Sequence, residues 1–277
     1  MVGAFGFEPH ELRAAALGEI HARPFLPVET PSRILHFAFT TDALGGGKAI
    51  DALIELARSR GLPPPDASAK HIRLDFTPAR LLFERHGEFV TYSWSFPGGD
   101  EPFRPTADEL QSVMRLLPQP GPLLVAADLH LLPAAKTPEN FTDLFAGPAL
   151  AAASIDEGRA TIVSDFTADA FGFVRILIAD RTLSPASAGA LTQRLLEIET
   201  YRMLALLGLP AAQRLSPSIR RNEDELPALL LSMERERGVE ADRALLDRLT
   251  AIATELETGS SESLFRLGAT RAYHELV

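Results

Sequence analysis

The sequence predicts a mixed α/β domain over residues 1–183, a mixed β-sheet covered by helices, followed by an all-α helical tail over residues 184–277. Three observations carry this. Helical and strand patterns interleave over the first 120 residues, strand patterns cluster from Leu123 to Ala179, and only helical texture follows Ser184. Early interleaving with later clustering favours a mixed sheet over a purely parallel one. With 277 residues, 46% of them hydrophobic and 23% charged, the chain can bury a core without staples. The same fractions exclude collagen-like, low-complexity and wholly disordered classes.

Residues 9–22 read as a helix, with Pro9 in its first turn and Leu12, Ala15, Ala16 and Glu19 at helical spacing; Pro24 and Pro27 close it. Residues 32–40 are apolar and β-prone, a buried strand. Gly45, Gly46 and Gly47 then read as a flexible turn into an amphipathic helix over 49–58, with Ile50, Leu53, Ile54 and Ala57 on its stripe. In residues 71–76, Ile72, Leu74 and Phe76 alternate with His71, Arg73 and Asp75, the mark of a half-buried strand. Residues 80–96 are β material too long for one strand, so a bend or turn is expected near Gly87. Thr106 to Glu109 is a capping box for a helix to about Leu117. Residues 123–132 read as a buried strand; 155–166 and 171–179 read as a strand pair or three short strands, turning near Asp169. Ser184 and Pro185 cap and open a helix to about Leu207, which Gly208 and Pro210 end or kink. Pro217, Pro227, Gly238 and Gly259 punctuate the rest. Leu245, Leu246, Leu249, Ile252 and Leu256 form one apolar stripe that needs a partner surface.

Composition excludes several functions. With no cysteine there is no disulfide, thiolate metal site or cysteine nucleophile. A net charge of −10 and no run of basic residues argue against nucleic acid. No secretory signal opens the chain, and no apolar run approaches the ~18–20 residues of a membrane span. The Gly45–Lys48 string lacks the Walker spacing, and dinucleotide, serine-hydrolase and zinc-protease fingerprints are absent, so no cofactor is expected.

Two polar clusters remain as candidates. Glu84, Arg85, His86 and Glu88 lie within β material. On an unbroken strand Glu84, His86 and Glu88 share one face, offering carboxylate, imidazole and carboxylate to a metal or a proton transfer. A turn at Gly87 would break that face, and Arg85 paired with Glu88 or another acid is the structural alternative. His21 and Arg23 sit where a helix hands over to extended chain. They either cap its last carbonyls or, through Arg23, fork onto a carboxylate or phosphate. His36, His71 and His130 read as packed strand histidines, and Asp165, Asp169 and Asp180 as turn residues.

Four stretches together resemble one bacterial family of predicted membrane-anchored proteins, the domain of unknown function 3422. They are residues 19–24 (EIHARP), 84–89 (ERHGEF), Ser184-Pro185 leading to 193–202 (QRLLEIETYR), and 269–273 (ATRAY). The resemblance runs nearly end to end. Family members usually carry Thr where Gly87 stands, and continue past the last string into more helix and a hydrophobic segment. The resemblance therefore implies a tail truncated before a membrane-anchoring segment, a cytoplasmic-side location, and a homo-oligomer held through the helices. The expected function is a non-enzymatic cytoplasmic domain of a membrane-anchored oligomer. Its alternatives are a divalent-cation-sensing domain laid out like that of the magnesium and cobalt channels, or a metal-dependent or acid–base enzyme using Glu84, His86 and Glu88.

Overall fold

The computed structural model describes residues 10–13, 25–99, 101–103, 111–112, 114–138, 140–235 and 238–277. Most of the helix expected over 9–22, with His21 and Arg23, and the capping box at Thr106 lie outside them. By its contacts the chain divides into two compact units, Met1–Glu197 and Ile198–Val277.

The first unit is built on one eight-stranded sheet: β1 (Ser32–Thr40), β2 (His71–Phe76), β3 (Ala79–Arg85), β4 (Phe89–Pro97), β5 (Leu123–Pro133), β6 (Ala151–Ile155), β7 (Ala160–Ala168) and β8 (Val174–Asp180). Their order across the sheet is β2-β3-β4-β1-β5-β8-β7-β6. Every pairing is antiparallel except β5 with β8. The sheet is therefore mixed, as the interleaved patterning predicts. Two meanders, β2-β3-β4 and β6-β7-β8, flank a β1–β5 centre.

The expected bend near Gly87 is the hairpin between β3 and β4, closed by the His86 amide donating to the Phe89 carbonyl at 2.9 Å. Of the two readings of residues 155–179, three short strands form, and the first of them begins earlier, at Ala151. A 3-10 turn at Asp156–Gly158 separates β6 from β7, with Asp156, Glu157 and Gly158 all at positive φ. The turn into β8 forms as expected around Asp169, whose Oδ1 accepts the amides of Phe171 and Phe173 at 2.9 and 3.0 Å.

Helix α1 (Ala43–Ser59) starts earlier than its stripe suggested, and the three glycines belong to its first turns rather than to a turn before it. Close approach is the reason at Gly46, where a Cβ would sit 3.3 Å from Cδ of Arg85. The stripe packs as read: Ile50, Leu53 and Ala57 are fully buried with Leu35, Leu81, Phe83 and Trp94 on one face of the sheet. At about 1.5–3 kcal/mol per buried large apolar side chain, this contact holds the unit together. On that same face β5, β7 and β8 carry a smaller cluster of Leu132, Val163 and Leu177 under Phe145. The strand centre is buried on its other face as well, through Ile34, Ala38, Ala127, Leu129 and Ile178.

Helix α2 (Pro185–Leu206) opens as predicted, with the Ser187 amide donating to Ser184 Oγ at 3.1 Å. The Val28 amide donates to the Pro185 carbonyl at 3.0 Å, tying the segment before β1 to the helix start. The division between the two units falls within α2.

In the second unit α3 (Gly208–Arg235) and α4 (Val239–His274) pack against each other as an antiparallel hairpin. Pro217 and Pro227 do not interrupt α3. Both prolines, and Gln213 and Glu223 whose carbonyls lose a donor, are exposed, on the side where solvent can replace that donor. The interface stripe of α3 runs Gly208, Ala211, Leu215, Ser218, Asn222, Glu225, Leu229 and Ser232, in alternating steps of three and four. Its residues are mostly small or polar. Arg221 pairs with Glu255 at 2.6 Å and Arg248 with Glu225 across the hairpin. The apolar stripe read on α4 is divided: Ile252 is buried and Leu245 and Leu249 half-buried, while Leu246 and Leu256 are exposed.

Candidate functional site

Strand register assembles the first candidate. Glu84, one residue from the end of β3, stands opposite His71 on β2 and Thr91 on β4. His71 Nδ1 lies 3.2 Å from Glu84 Oε1, and Thr91 Oγ1 donates to Oε2 at 3.4 Å. Along the same face His36 on β1 stands opposite Ser93, Nδ1 to Oγ at 2.8 Å. Burial pushes the His36 imidazole down to about 4 against the opposing pull of Glu84. Burial would raise the Glu84 carboxyl, but the hydrogen bond from His71 and the fields of His86, His71 and His36 outweigh it and hold it below the usual carboxylate range. One carboxylate is thus kept ionised among three imidazoles. The His71 and Glu84 side chains are 18% and 15% exposed, so this pair keeps an edge to solvent.

The other residues of the sequence cluster do not share this face. Because β3 ends at Arg85 and residues 86–88 turn, the period-two geometry proposed for Glu84, His86 and Glu88 stops at Glu84. His86 stacks on Phe89 with ring centroids 4.0 Å apart and remains close enough to act on Glu84. Arg85 points to the α1 side, beside Gly46, and reaches the Ser68 carbonyl at 3.5 Å. Glu88 is half-buried in the turn, its carbonyl accepting the Thr41 amide at 2.9 Å. Among the described residues no three His, Asp or Glu side chains are placed to hold a metal ion. What the arrangement offers chemically is proton transfer between Glu84 and His71.

A second ionic cluster escaped the sequence reading. Asp128 and His130 are two apart on β5 and share the face covered by α1. Register sets Arg33 opposite His130 and Arg175 opposite Asp128. Arg33 forks onto Asp128, Nε to Oδ1 at 3.0 Å and Nη2 to Oδ2 at 2.8 Å. Asp128 is 5% exposed; burial would raise its carboxyl, but hydrogen bonds from His130 and Arg33 hold it low. His130 Nε2 lies 3.2 Å from Asp128 Oδ1 and also 3.2 Å from the amide of Phe103. The first contact requires a proton on Nε2 and the second a lone pair, so the two compete. Among the described residues His130 Nδ1 is buried without a partner. Phe103, at φ +59°, closes the cluster edge-on to His130. Arg175 meanwhile pairs with Asp169 at 2.9 Å and the Leu144 carbonyl at 2.8 Å. Asp128 and His130 stand two apart in the sequence, but the arginine that pairs them comes from register, which one strand read alone does not disclose.

Fold and site together define an α+β protein: a mixed sheet carrying one buried and one part-buried ionic cluster, with a long helical C-terminal region. Residues 8–277 match the family described as protein of unknown function (DUF3422), and the chain belongs to that family. No curated protein and no solved structure matches it. Among the described residues no helix is long and apolar enough to cross a membrane.

Proposed function

We propose that this chain is a non-enzymatic assembly domain, the cytoplasmic part of a membrane-anchored oligomer whose copies meet through the helical region. The observation that carries this is how the α3–α4 hairpin spends its side chains. Its helices meet over Gly208, Ala211, Ser218, Asn222, Gly259 and Ser263, whereas Leu230, Met233, Leu246, Leu264 and Phe265 are each more than half exposed. A helix pair that leaves this many large apolar groups outside its own contact has surface to bury elsewhere. The anchor is assigned to a segment beyond residue 277, on the resemblance alone. Fractionation of the source cells, with chemical cross-linking before lysis, tests the reading. Cross-linked multimers in the membrane fraction are expected; a wholly soluble, monomeric native product overturns it.

A second reading, acid–base chemistry at Glu84, is favoured by the His71–Glu84 contact and its exposed edge. It predicts that Glu84→Gln abolishes a measurable turnover while leaving the melting temperature within a few degrees. Divalent-cation sensing would need ligands shared between copies, since no three-residue group is available among the described residues of one chain. A magnesium series that shifts neither melting nor mass counts against it.

A further inference from the structure

We infer that one face of the α3–α4 hairpin is the seam of a four-helix bundle formed with the hairpin of a second copy of this chain. The inference rests on the assembly reading and names its partner and surface. On α3, Ile219, Leu226 and Met233 are seven residues apart, with Leu230 between the last two; they are 40%, 38%, 53% and 61% exposed. On α4, Leu246, Ala253 and Leu267 fall at multiples of seven, with Leu256 three after Ala253 and Leu264 beside Leu267. The four leucines are 62%, 43%, 71% and 37% exposed. Steps of three and four are the signature of a helix that packs along another helix.

The two stripes lie on one side of the hairpin. At about 100° per residue, the α3 stripe is turned one way from the α3–α4 contact. In an antiparallel pair the α4 stripe is turned to the same side. The opposite side is a groove of mixed lining of about 810 Å³, bounded by Arg214, Leu215 and Ser218 from α3 and by Thr254, Thr258 and Glu262 from α4. One face of the hairpin thus carries a stripe of large exposed apolar side chains, and the other carries a groove of mixed lining.

Area and charge select the occupant. Eight large side chains, each about half exposed, present on the order of 700 Å², close to the ~800 Å² each partner buries in a standard interface. That exceeds the ~300–600 Å² of the largest patch on a typical monomer. An anionic membrane surface is the wrong partner. Residues 198–277 carry ten arginines and no lysine against thirteen carboxylates, a net charge of −3, where membrane-surface helices carry a basic rim. A second hairpin matches in length, in heptad spacing and in apolar area, and produces the bundle geometry of paired antiparallel helices.

The test uses the full chain and its lack of native cysteine. Single-cysteine variants Leu226→Cys and Leu256→Cys are labelled with a maleimide across a protein concentration series, beside Thr254→Cys and Thr258→Cys on the groove face. The seam positions should react at least tenfold more slowly once the protein is dimeric, and the groove positions at an unchanged rate. In parallel, Leu230→Glu with Leu264→Glu should raise the dimer dissociation constant at least a hundredfold with helical circular dichroism unchanged. A dimer whose seam cysteines react freely, or whose groove cysteines are the protected ones, overturns the inference but leaves the assembly reading standing. A wild-type monomer at all concentrations overturns both. Protection of the seam only by anionic vesicles, without dimerisation, makes the face a lipid contact and overturns the inference.

Discussion

His36 is held neutral on β1 because burial pushes its imidazole from 6.5 down to about 4. The unfolded chain takes up that proton near pH 6.5 and the folded chain only near 4. Stability is therefore complete above pH 6.5 and falls as pH drops through this window, by about 3 kcal/mol in all. Glu84 and Asp128, whose carboxyls lie below their ordinary range, contribute stability that is lost at still lower pH. His36→Asn keeps a polar group toward Ser93 and removes the titration. Urea unfolding of this variant should be nearly flat between pH 6.5 and 4, where wild type declines; an unaltered slope would show that His36 is not the group responsible. Arg33→Ala leaves Asp128 buried beside His130 alone, and should cost about 3–5 kcal/mol in the same assay at pH 7. Arg80→Ala, which leaves the largely exposed Asp75 paired with Arg73, should cost less than about 1 kcal/mol. Equal losses at the two sites would contradict the buried-network account. Asp128 and His130 are plain in the sequence as polar interruptions of an apolar strand. Their meeting with Arg33 is not, because pairing across 95 residues is a property of register.

Elements with strong local periodicity were legible. The strand patterns at 32–40 and 71–76 and the cap at Ser184 form where the residues place them, because alternation and capping are decided within a few positions. Elements whose limits depend on distant packing were not. The glycines of α1 look like a turn until Arg85 is placed against Gly46, and the prolines of α3 look like stops until their exposed side is known. Glu84 and His71 meet only through the register of the β2–β3 hairpin, so half of the candidate site was readable and its partner was not. One glycine gives a direct check on element packing. In α2, a Cβ on Gly189 would lie 2.0 Å from the Leu26 carbonyl oxygen, with backbone on both sides of the clash. Gly189→Ala should therefore destabilise the first unit by about 1–3 kcal/mol despite alanine's better helix propensity. A stabilised variant would mean that the segment before β1 does not rest on α2.

At the scale of the whole molecule, the two units differ in how they satisfy their apolar surface. The sheet unit buries its aromatic and aliphatic side chains on both faces of its central strands. The helical unit has two long helices whose interface sets Leu215, Leu229 and Ile252 among small and polar residues, with further leucines outside. A pair of helices held this way gains little from its own contact, because most helical stability comes from packing an apolar face. The account therefore requires a second copy to complete the helical unit. It follows that helical stability depends on concentration, and that melting of the helices should rise in temperature with each dilution step reversed. Sedimentation equilibrium on the 277-residue chain from nanomolar to tens of micromolar is the most direct measurement of that requirement. Association to a dimer, twice the monomer mass of 30.1 kDa, is the predicted result. A single species of monomer mass across the whole range would contradict it.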